Sequence, residues 1–263
     1  MRCHYREKAY FAGPFLDVDI YPVFAKAGSR QKKFKPSTPC QQRLNEKRSV
    51  DRLVRLVNAN FTKSDLACHP TYRDDIHPKD EKTALRNIEN FIRRLKRFRK
   101  KANLPELKYV AVTEISQSGR FHHHLIISGG VTLEALADIW GKGYVSAKPL
   151  QFDEKGVSGL AAYMVKDPIG GKRYKASRNL LPPVEKVKDE RLSRRKVIEM
   201  ADTEKYAQVM EELYPGYEFV CAQPFYNDYN RHQYITVKMY IPPKRGRNSE
   251  VGIRRRKERG YES

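Results

Sequence analysis

The stretch LKYVAVTEISQSGRFHHHLIIS, residues 107–128, predicts two β-strands joined by a short turn. The segment before the turn is rich in β-branched and aromatic residues, and the segment after it ends in an apolar run. SQSGR between them supplies the small polar residues that are typical of turns. The stretch therefore predicts an antiparallel hairpin whose second strand carries His122, His123 and His124.

Side chains alternate across a strand, so His122 and His124 share one face of this hairpin and His123 takes the other. In the register that the turn predicts, Glu114 lies opposite His122. Two imidazoles and one carboxylate on one face, with open positions, are typical of a catalytic divalent-cation site. The alternative is a hydrogen-bonded His-x-His pair on a sheet surface, and a slip of one residue would move Glu114 to the other face. His123 is expected to be a partly buried ring facing the other layer.

A second pattern lies downstream, where VSGLAAYMVKD (157–167) predicts a helix that ends at Pro168. Tyr163 and Lys166 are three positions apart and therefore neighbours on one helix face. A tyrosine hydroxyl can attack a phosphodiester when nearby cationic groups stabilise the developing charge. Tyr-x-x-Lys alone is common on helix surfaces, and it becomes informative only together with the strand histidines.

The charge balance is strongly basic, with 52 Lys and Arg against 31 Asp and Glu and a formal net charge of +21. Such an excess predicts a polyanionic partner, of which nucleic acid is the usual one. An anionic membrane surface is the alternative, but no apolar run approaches the ~20 residues that span a bilayer. The first ten residues lack the apolar core of a signal peptide. The four cysteines form no Cys-x-x-Cys pair, so we expect a reducing cytoplasm rather than disulfides or a zinc knuckle.

The remaining patterns predict a chain of mixed helices and strands, without internal repeats. Residues 1–43 predict a basic irregular N-terminal arm, 44–243 a single domain with a C-terminal helix and strand extension, and 244–263 a disordered basic tail. Helices are predicted over 45–58, 80–101, 157–167 and 193–216 and after Thr132, and strands over 65–72 and 143–150 and in the closing segments YEFVCAQPF and QYITVKMYI.

The segments TEISQSGRFHHHLII and AAYMVKD together resemble the rolling-circle replication initiators of small phages and plasmids, which belong to the HUH endonuclease superfamily. The similarity runs from about Leu56 to Pro168. It implies an α+β fold, a ferredoxin-like palm in which helices pack on an antiparallel sheet. The chain departs from the family pattern at His123, where the His-hydrophobic-His motif has an apolar residue, and at Pro70 in the first strand.

The resemblance also assigns roles to the site residues. It implies that Glu114, His122 and His124 bind Mg²⁺ or Mn²⁺, that Tyr163 is the nucleophile, and that Lys166 is its charge partner. Lys166 stands where two-tyrosine members carry a second nucleophile, so the chain resembles the single-tyrosine type.

The activity that the resemblance implies is site-specific DNA nicking and joining. Tyr163 would form a 5′-phosphotyrosine link and free a 3′-hydroxyl that primes replication in a bacterial host cytoplasm. No GxxxxGK[ST] motif occurs, so helicase and polymerase are expected from the host. Two alternatives remain: a transposase or relaxase with the same chemistry, and a non-catalytic DNA-binding protein, which would need neither Glu114 nor Tyr163.

Single-stranded DNA at the origin is expected to lie along the basic end of the helix at 80–101 and along the loop KRYKASR, 172–178. Cations suit a helix C-terminus, but RRLKRFRKK carries seven basic residues in nine, which is more than the helix dipole requires. The residues expected to bind DNA are Arg93, Arg94, Lys96, Arg97, Arg120, Lys172, Arg173, Lys175 and Arg178.

Overall fold

The computed structural model describes residues 3–24, 39–164 and 173–243. Within these residues the chain forms ten strands, six α-helices and a 3-10 turn at Asp74–Ile76. The strands are β1 (Cys3–Ala12), β2 (Phe15–Phe24), β3 (Leu66–Pro70), β4 (Tyr109–Ile115), β5 (Phe121–Ile127), β6 (Val145–Pro149), β7 (Lys175–Ala176), β8 (Val184–Asp189), β9 (Glu218–Asn227) and β10 (His232–Tyr240). The helices are α1 (Pro39–Asn60), α2 (Glu81–Lys101), α3 (Leu133–Trp140), α4 (Ser158–Met164), α5 (Arg194–Thr203) and α6 (Tyr206–Leu213).

The strands form two antiparallel sheets of five strands each. The central sheet has the order β6-β3-β5-β4-β7, and the terminal sheet, built from both ends of the chain, has the order β8-β1-β2-β10-β9. Helices and antiparallel sheets in this arrangement confirm the predicted α+β class.

The hairpin β4–β5 lies at the centre of the central sheet, and its predicted register is confirmed. Glu114 pairs with His122, and Val112 pairs with His124. The turn is closed by a hydrogen bond from the Ser116 amide to the Arg120 carbonyl. Because a short turn sets the register of a hairpin, local sequence was enough to place these side chains on one face.

Helices cover both faces of the central sheet. The apolar stripe of α2 and the buried side of α3 pack on one face, against odd-numbered residues of β4 and β5. Helices α1 and α4 pack on the other face, against Val110, Val112 and Ile126. The buried helix residues of the first layer include Ala84, Ile88, Phe91, Leu95, Leu136 and Trp140, and those of the second include Leu53, Val54, Val57, Ala161 and Met164.

The terminal sheet has one apolar and one polar face. Its apolar face, which includes Leu16, Val18 and Val237, packs against α5 and α6. Its polar face turns toward α1, where Arg55 donates hydrogen bonds to Asp17 and another aspartate of β2. Helix α1 therefore contacts the central sheet through its apolar side and the terminal sheet through Arg55.

Several elements differ from the sequence prediction. The irregular arm predicted for 1–43 is wrong over residues 3–24, which form the β1–β2 hairpin at the centre of the terminal sheet. The helix predicted over 193–216 is two helices, because Glu204 takes a left-handed conformation with φ of 53°. The exposed edge strand β8 was not predicted. The rest of the predicted arm, 25–38, and the predicted tail, 244–263, lie outside the described residues.

The predicted closing strands are confirmed as β9 and β10, and they join the terminal sheet through pairing of β10 with β2. Cys3, Cys68 and Cys221 are free thiols, as the scattered spacing predicts. In the part of the chain that the structure describes, no helix combines the length and the apolar character needed to cross a membrane.

Candidate active site

The candidate active site lies on the face of the central sheet that α1 and α4 cover. Glu114 comes from β4, and His122 and His124 come from β5, so neighbouring strands present all three side chains to one side. The His124 side chain is almost fully buried, at 6% exposed, whereas that of Glu114 keeps 18% of its surface. The site is therefore partly open at the end of the hairpin that carries Glu114.

His124 is held at both ring nitrogens. Its Nε2 lies 2.6 Å from Oε1 of Glu114, and its Nδ1 lies 2.7 Å from Nδ1 of His69. An ionised carboxylate only accepts, so the Nε2–H group of a neutral His124 donates to Glu114. The Nδ1 atom of His124 then accepts from His69, which defines the tautomers of both rings.

His69 was not predicted as a site residue. It lies on β3, which pairs with β5 in the central sheet, and it shares the face of His124. The sequence shows a histidine in a strand that ends at Pro70, but nothing local indicates that β3 lies beside the histidine strand. Only knowledge of the strand order would have identified His69.

Tyr163 approaches the site from α4. Its ring centroid lies 5.1 Å from that of His124, with the rings nearly perpendicular at 84°. Ala161 and Met164 are buried in the layer between α4 and the sheet, whereas Tyr163 is 56% exposed. The tyrosine therefore combines contact with the histidine cluster and access from solvent. Lys166, its predicted charge partner, lies outside the described residues.

The outer imidazoles are partly desolvated. Burial lowers the pKa of His69, and the neighbouring His124 adds to that effect. Burial also lowers the pKa of His122, although the carboxylate of Glu114 opposes this shift. Lowered pKa values keep both rings neutral at pH 7, and neutral imidazole is the form that binds metals.

His123 lies on the opposite face, as predicted, and it is 1% exposed. Its Nδ1 lies 2.8 Å from the Thr113 hydroxyl, and its Nε2 lies 2.7 Å from the Tyr72 hydroxyl. Burial lowers its pKa to about 3, so the ring is neutral. His123 is thus a fully hydrogen-bonded core residue between the sheet and the layer of α2 and α3.

The donor types on the site face suit a divalent cation, since imidazole nitrogen and carboxylate oxygen are both ligands of Mn²⁺, and Mg²⁺ prefers carboxylate oxygen. Across residues 3–24, 39–164 and 173–243, however, no group of three His, Cys, Asp or Glu side chains is arranged to hold a metal ion. The donors of Glu114 and His124 bond to each other instead. Chemically the residues fit a metal, and bound metal would replace that hydrogen bond.

The basic residues expected to bind DNA do not form one surface around this site. Helix α2 packs on the opposite face of the central sheet, so its cations lie on the far side from Tyr163. Arg94 donates to the Trp140 carbonyl, and Arg120 pairs with Asp74. Arg173 pairs with Glu46 of α1 and Lys175 with Glu89 of α2, whereas Arg93, Lys96, Arg97 and Arg178 are exposed and Lys172 lies outside the described residues.

Comparison with known proteins bears on the same region. Residues 67–168 match the family of the replication-associated protein ORF2. The matched segment covers less than half of the chain, but it runs from β3 through α4 and contains His69, Glu114 and Tyr163 together with the histidine strand. It supports a protein of the replication-initiator kind with a role in DNA replication. Searches of curated proteins and of solved structures gave no match.

Proposed function

We propose that this chain is a metal-dependent DNA nicking and joining enzyme that starts rolling-circle replication at a specific origin. The observation that carries the proposal is the solvent-accessible Tyr163 in ring contact with His124, which in turn bonds to Glu114. A structural tyrosine would bury its ring, whereas a nucleophile must meet both the charged cluster and an incoming strand. The central sheet with its helices would then be the palm of an HUH endonuclease of the single-tyrosine type.

The reaction requires one bond to form as another breaks. The phenolic oxygen of Tyr163 attacks the phosphorus, and the bond from phosphorus to the 3′-oxygen breaks. The phenolic proton passes to solvent, because the side chain is exposed, and the departing oxygen takes up a proton to give a free 3′-hydroxyl. The 5′-phosphate stays on the tyrosine, so the reverse transfer rejoins a strand without ATP.

Glu114, His122 and His124 are the residues that would hold Mg²⁺ or Mn²⁺. When bound, the cation would stabilise the negative charge that develops on the phosphate and the phenolate. His69 would then accept a hydrogen bond from Nδ1 of His124, which directs Nε2 toward the metal side. Lys166, three positions after Tyr163, would add positive charge at the same helix face.

Single-stranded DNA is the proposed substrate, and the net charge of +21 supplies the attraction. The site lies on the α1 and α4 side, so we assign the strand path near Tyr163 to Arg120 and Arg173 rather than to the α2 cations. Arg93, Lys96 and Arg97 would then contact flanking DNA on the other side. Host helicase and polymerase in a bacterial cytoplasm belong to the same proposal.

The test is a covalent-adduct assay. A pool of single-stranded oligonucleotides is incubated with the full chain and Mn²⁺, and the products are separated on a denaturing gel. We expect a protein–DNA adduct that disappears with EDTA and with Tyr163→Phe. Tyr144→Phe is the matched control, since Tyr144 is also exposed, at 69%, and it should leave the adduct unchanged.

Two results would point elsewhere. Salt-dependent DNA binding without an adduct for any oligonucleotide or metal would favour the non-catalytic DNA-binding protein. An adduct that joins two different target strands more readily than it recloses one origin would favour a transposase or relaxase. Both results leave the fold unchanged and concern only the role of Tyr163.

A further inference from the structure

The β9–β10 hairpin of the terminal sheet ends in a tip, residues 225–234 with the sequence FYNDYNRHQY. Strand β10 pairs with β2 only from Ile235 onward, whereas its pairing with β9 continues to His232 opposite Asn227. The tip therefore extends past the neighbouring strand. It also lies outside the segment that matches the replication-associated family.

This tip exposes aromatic rings. Tyr229 is 98% exposed, Phe225 is 57% exposed and Tyr226 is 47% exposed. The rings of Phe225 and Tyr234 lie 6.1 Å apart across the hairpin and form one aromatic surface. Such a group of exposed rings contributes nothing to the core, and clustered exposed apolar surface marks an interaction site.

The turn that carries Tyr229 is held by side-chain hydrogen bonds. The Tyr229 amide donates to Oδ1 of Asn227 at 3.0 Å, and the Arg231 amide donates to the Asn227 carbonyl at 2.7 Å. The side-chain amide of Asn230 donates to the Tyr234 hydroxyl at 2.8 Å. The exposed ring is thus presented on an ordered turn, and binding through it costs little conformational entropy.

We propose that the tip 225–234 binds single-stranded DNA by stacking bases on Tyr229 and Phe225. Within the tip Asp228 and Arg231 balance each other, so local charge does not explain an attraction to DNA. The chain as a whole, at +21, attracts the strand, and rings hold bases without sequence preference. This inference rests on the proposed function for the identity of the strand, and it adds a second contact site to the nicking centre.

The experiment measures fluorescence anisotropy of a labelled single-stranded oligonucleotide at several salt concentrations. Tyr229→Ala should weaken binding about tenfold, because an aromatic–base stack is removed. Tyr229→Phe keeps the ring and should restore the affinity. The slope of affinity against salt should stay unchanged, because the tyrosine carries no charge. Leu181→Ala is the control, since Leu181 is 67% exposed but has no ring.

A crosslinking readout locates the contact directly. An oligonucleotide with 5-iodouracil bases is irradiated in the complex, and the crosslinked peptides are identified by mass spectrometry. We expect crosslinks within 225–234. Unchanged affinity of Tyr229→Ala, with crosslinks confined to other segments, would overturn the inference and leave the tip as a surface for a protein partner.

The same samples separate this inference from the proposed function. If the wild-type chain forms the Tyr163 adduct but Tyr229→Ala binds normally, the stacking tip is wrong and the nicking site stands. If no adduct forms while binding depends on the Tyr229 ring, the stacking tip stands and the nicking function is wrong.

Discussion

Neighbouring histidines on one strand have different surroundings, and those surroundings decide what each ring does. His123 is enclosed between the hydroxyls of Tyr72 and Thr113 in the core, whereas His124 lies between His69 and Glu114 on the site face. Strand alternation alone separates the two, because their sequence neighbours are nearly identical.

Substitution of His123 and His124 should therefore give opposite results. His123→Ala removes a buried ring and leaves two buried hydroxyls without partners, so the free energy of unfolding should fall by about 2–4 kcal/mol. His124→Ala should abolish adduct formation and leave DNA affinity nearly intact, because affinity comes from Lys and Arg. Denaturant unfolding and the adduct assay measure the two effects. Loss of cleavage in a stable His123→Ala variant, with His124→Ala active, would contradict the assignment.

His69 gives a second test at this scale. His69→Ala removes the partner of Nδ1 of His124 and leaves both the carboxylate and Tyr163 in place. Loss of such an orienting partner typically costs about 10–100-fold in metal affinity or activity, so we expect slower cleavage that partly recovers at high Mn²⁺. Titration of cleavage rate against Mn²⁺ checks this. An unchanged Mn²⁺ dependence would reduce His69 to a packing residue.

At the scale of elements, the nucleophile depends on how α4 begins. The preceding turn places Gly156 against α1, where Oδ1 of Asn58 accepts from the Val157 amide at 3.3 Å. A Cβ atom at Gly156 would lie 2.3 Å from the buried Asn58 side chain. The entry to α4, and hence the position of Tyr163, is set by this contact between two helices.

Gly156→Ala should accordingly disturb the site from a distance. Gly119→Ala is a matched control, because both glycines have positive φ, at 70° and 76°, but nothing lies within 4 Å of a Cβ at Gly119. Each variant carries the backbone strain of about 1–2 kcal/mol, and Gly156→Ala should lose about a further 1–3 kcal/mol from overpacking. Thermal unfolding and adduct yield are the measurements. Equal losses in the two variants would show that Asn58 yields without cost.

How much the sequence could predict follows from the range of each interaction. The β4–β5 register and the N-cap of α3 at Thr132 depend on residues a few positions apart, and both are confirmed. The β1–β2 hairpin shows the same alternation, but its many charged residues led to a prediction of an irregular arm. The pairing of β2 with β10 joins Asp19 to Thr236, 217 positions away, and no local pattern indicates it.

At the scale of the whole molecule, α1 joins the two sheets through a buried ion cluster. Nε of Arg55 donates to Asp17 at 2.7 Å, and Lys238 lies 3.6 Å from the same carboxylate. The side chains of Arg55 and Asp17 are only 11% and 9% exposed. Paired charges at this depth do not add much net stability, but they become costly when one partner is removed.

Arg55→Leu should therefore lower the free energy of unfolding by about 3–5 kcal/mol, since Asp17 and its neighbour on β2 lose their main cation. Arg52→Leu, an exposed position one turn earlier on α1, should change it by less than about 0.5 kcal/mol. Denaturant titration of both variants measures the difference. A loss in Arg55→Leu no larger than in Arg52→Leu would show that the terminal sheet is held to α1 by packing alone.

The distribution of charge along the chain gives the last prediction. Residues 244–263 contain eight basic and three acidic residues, so their deletion removes about a quarter of the net charge of +21. Binding of single-stranded DNA should weaken, and the slope of log affinity against log salt should become shallower by about 0.7 for each phosphate that the shortened chain no longer binds. Circular dichroism and the melting temperature should stay unchanged, because we expect no core residues in this segment. A collapse of the fold would contradict that expectation, and an unchanged salt slope would assign the electrostatic attraction to the folded surfaces around Tyr163 instead.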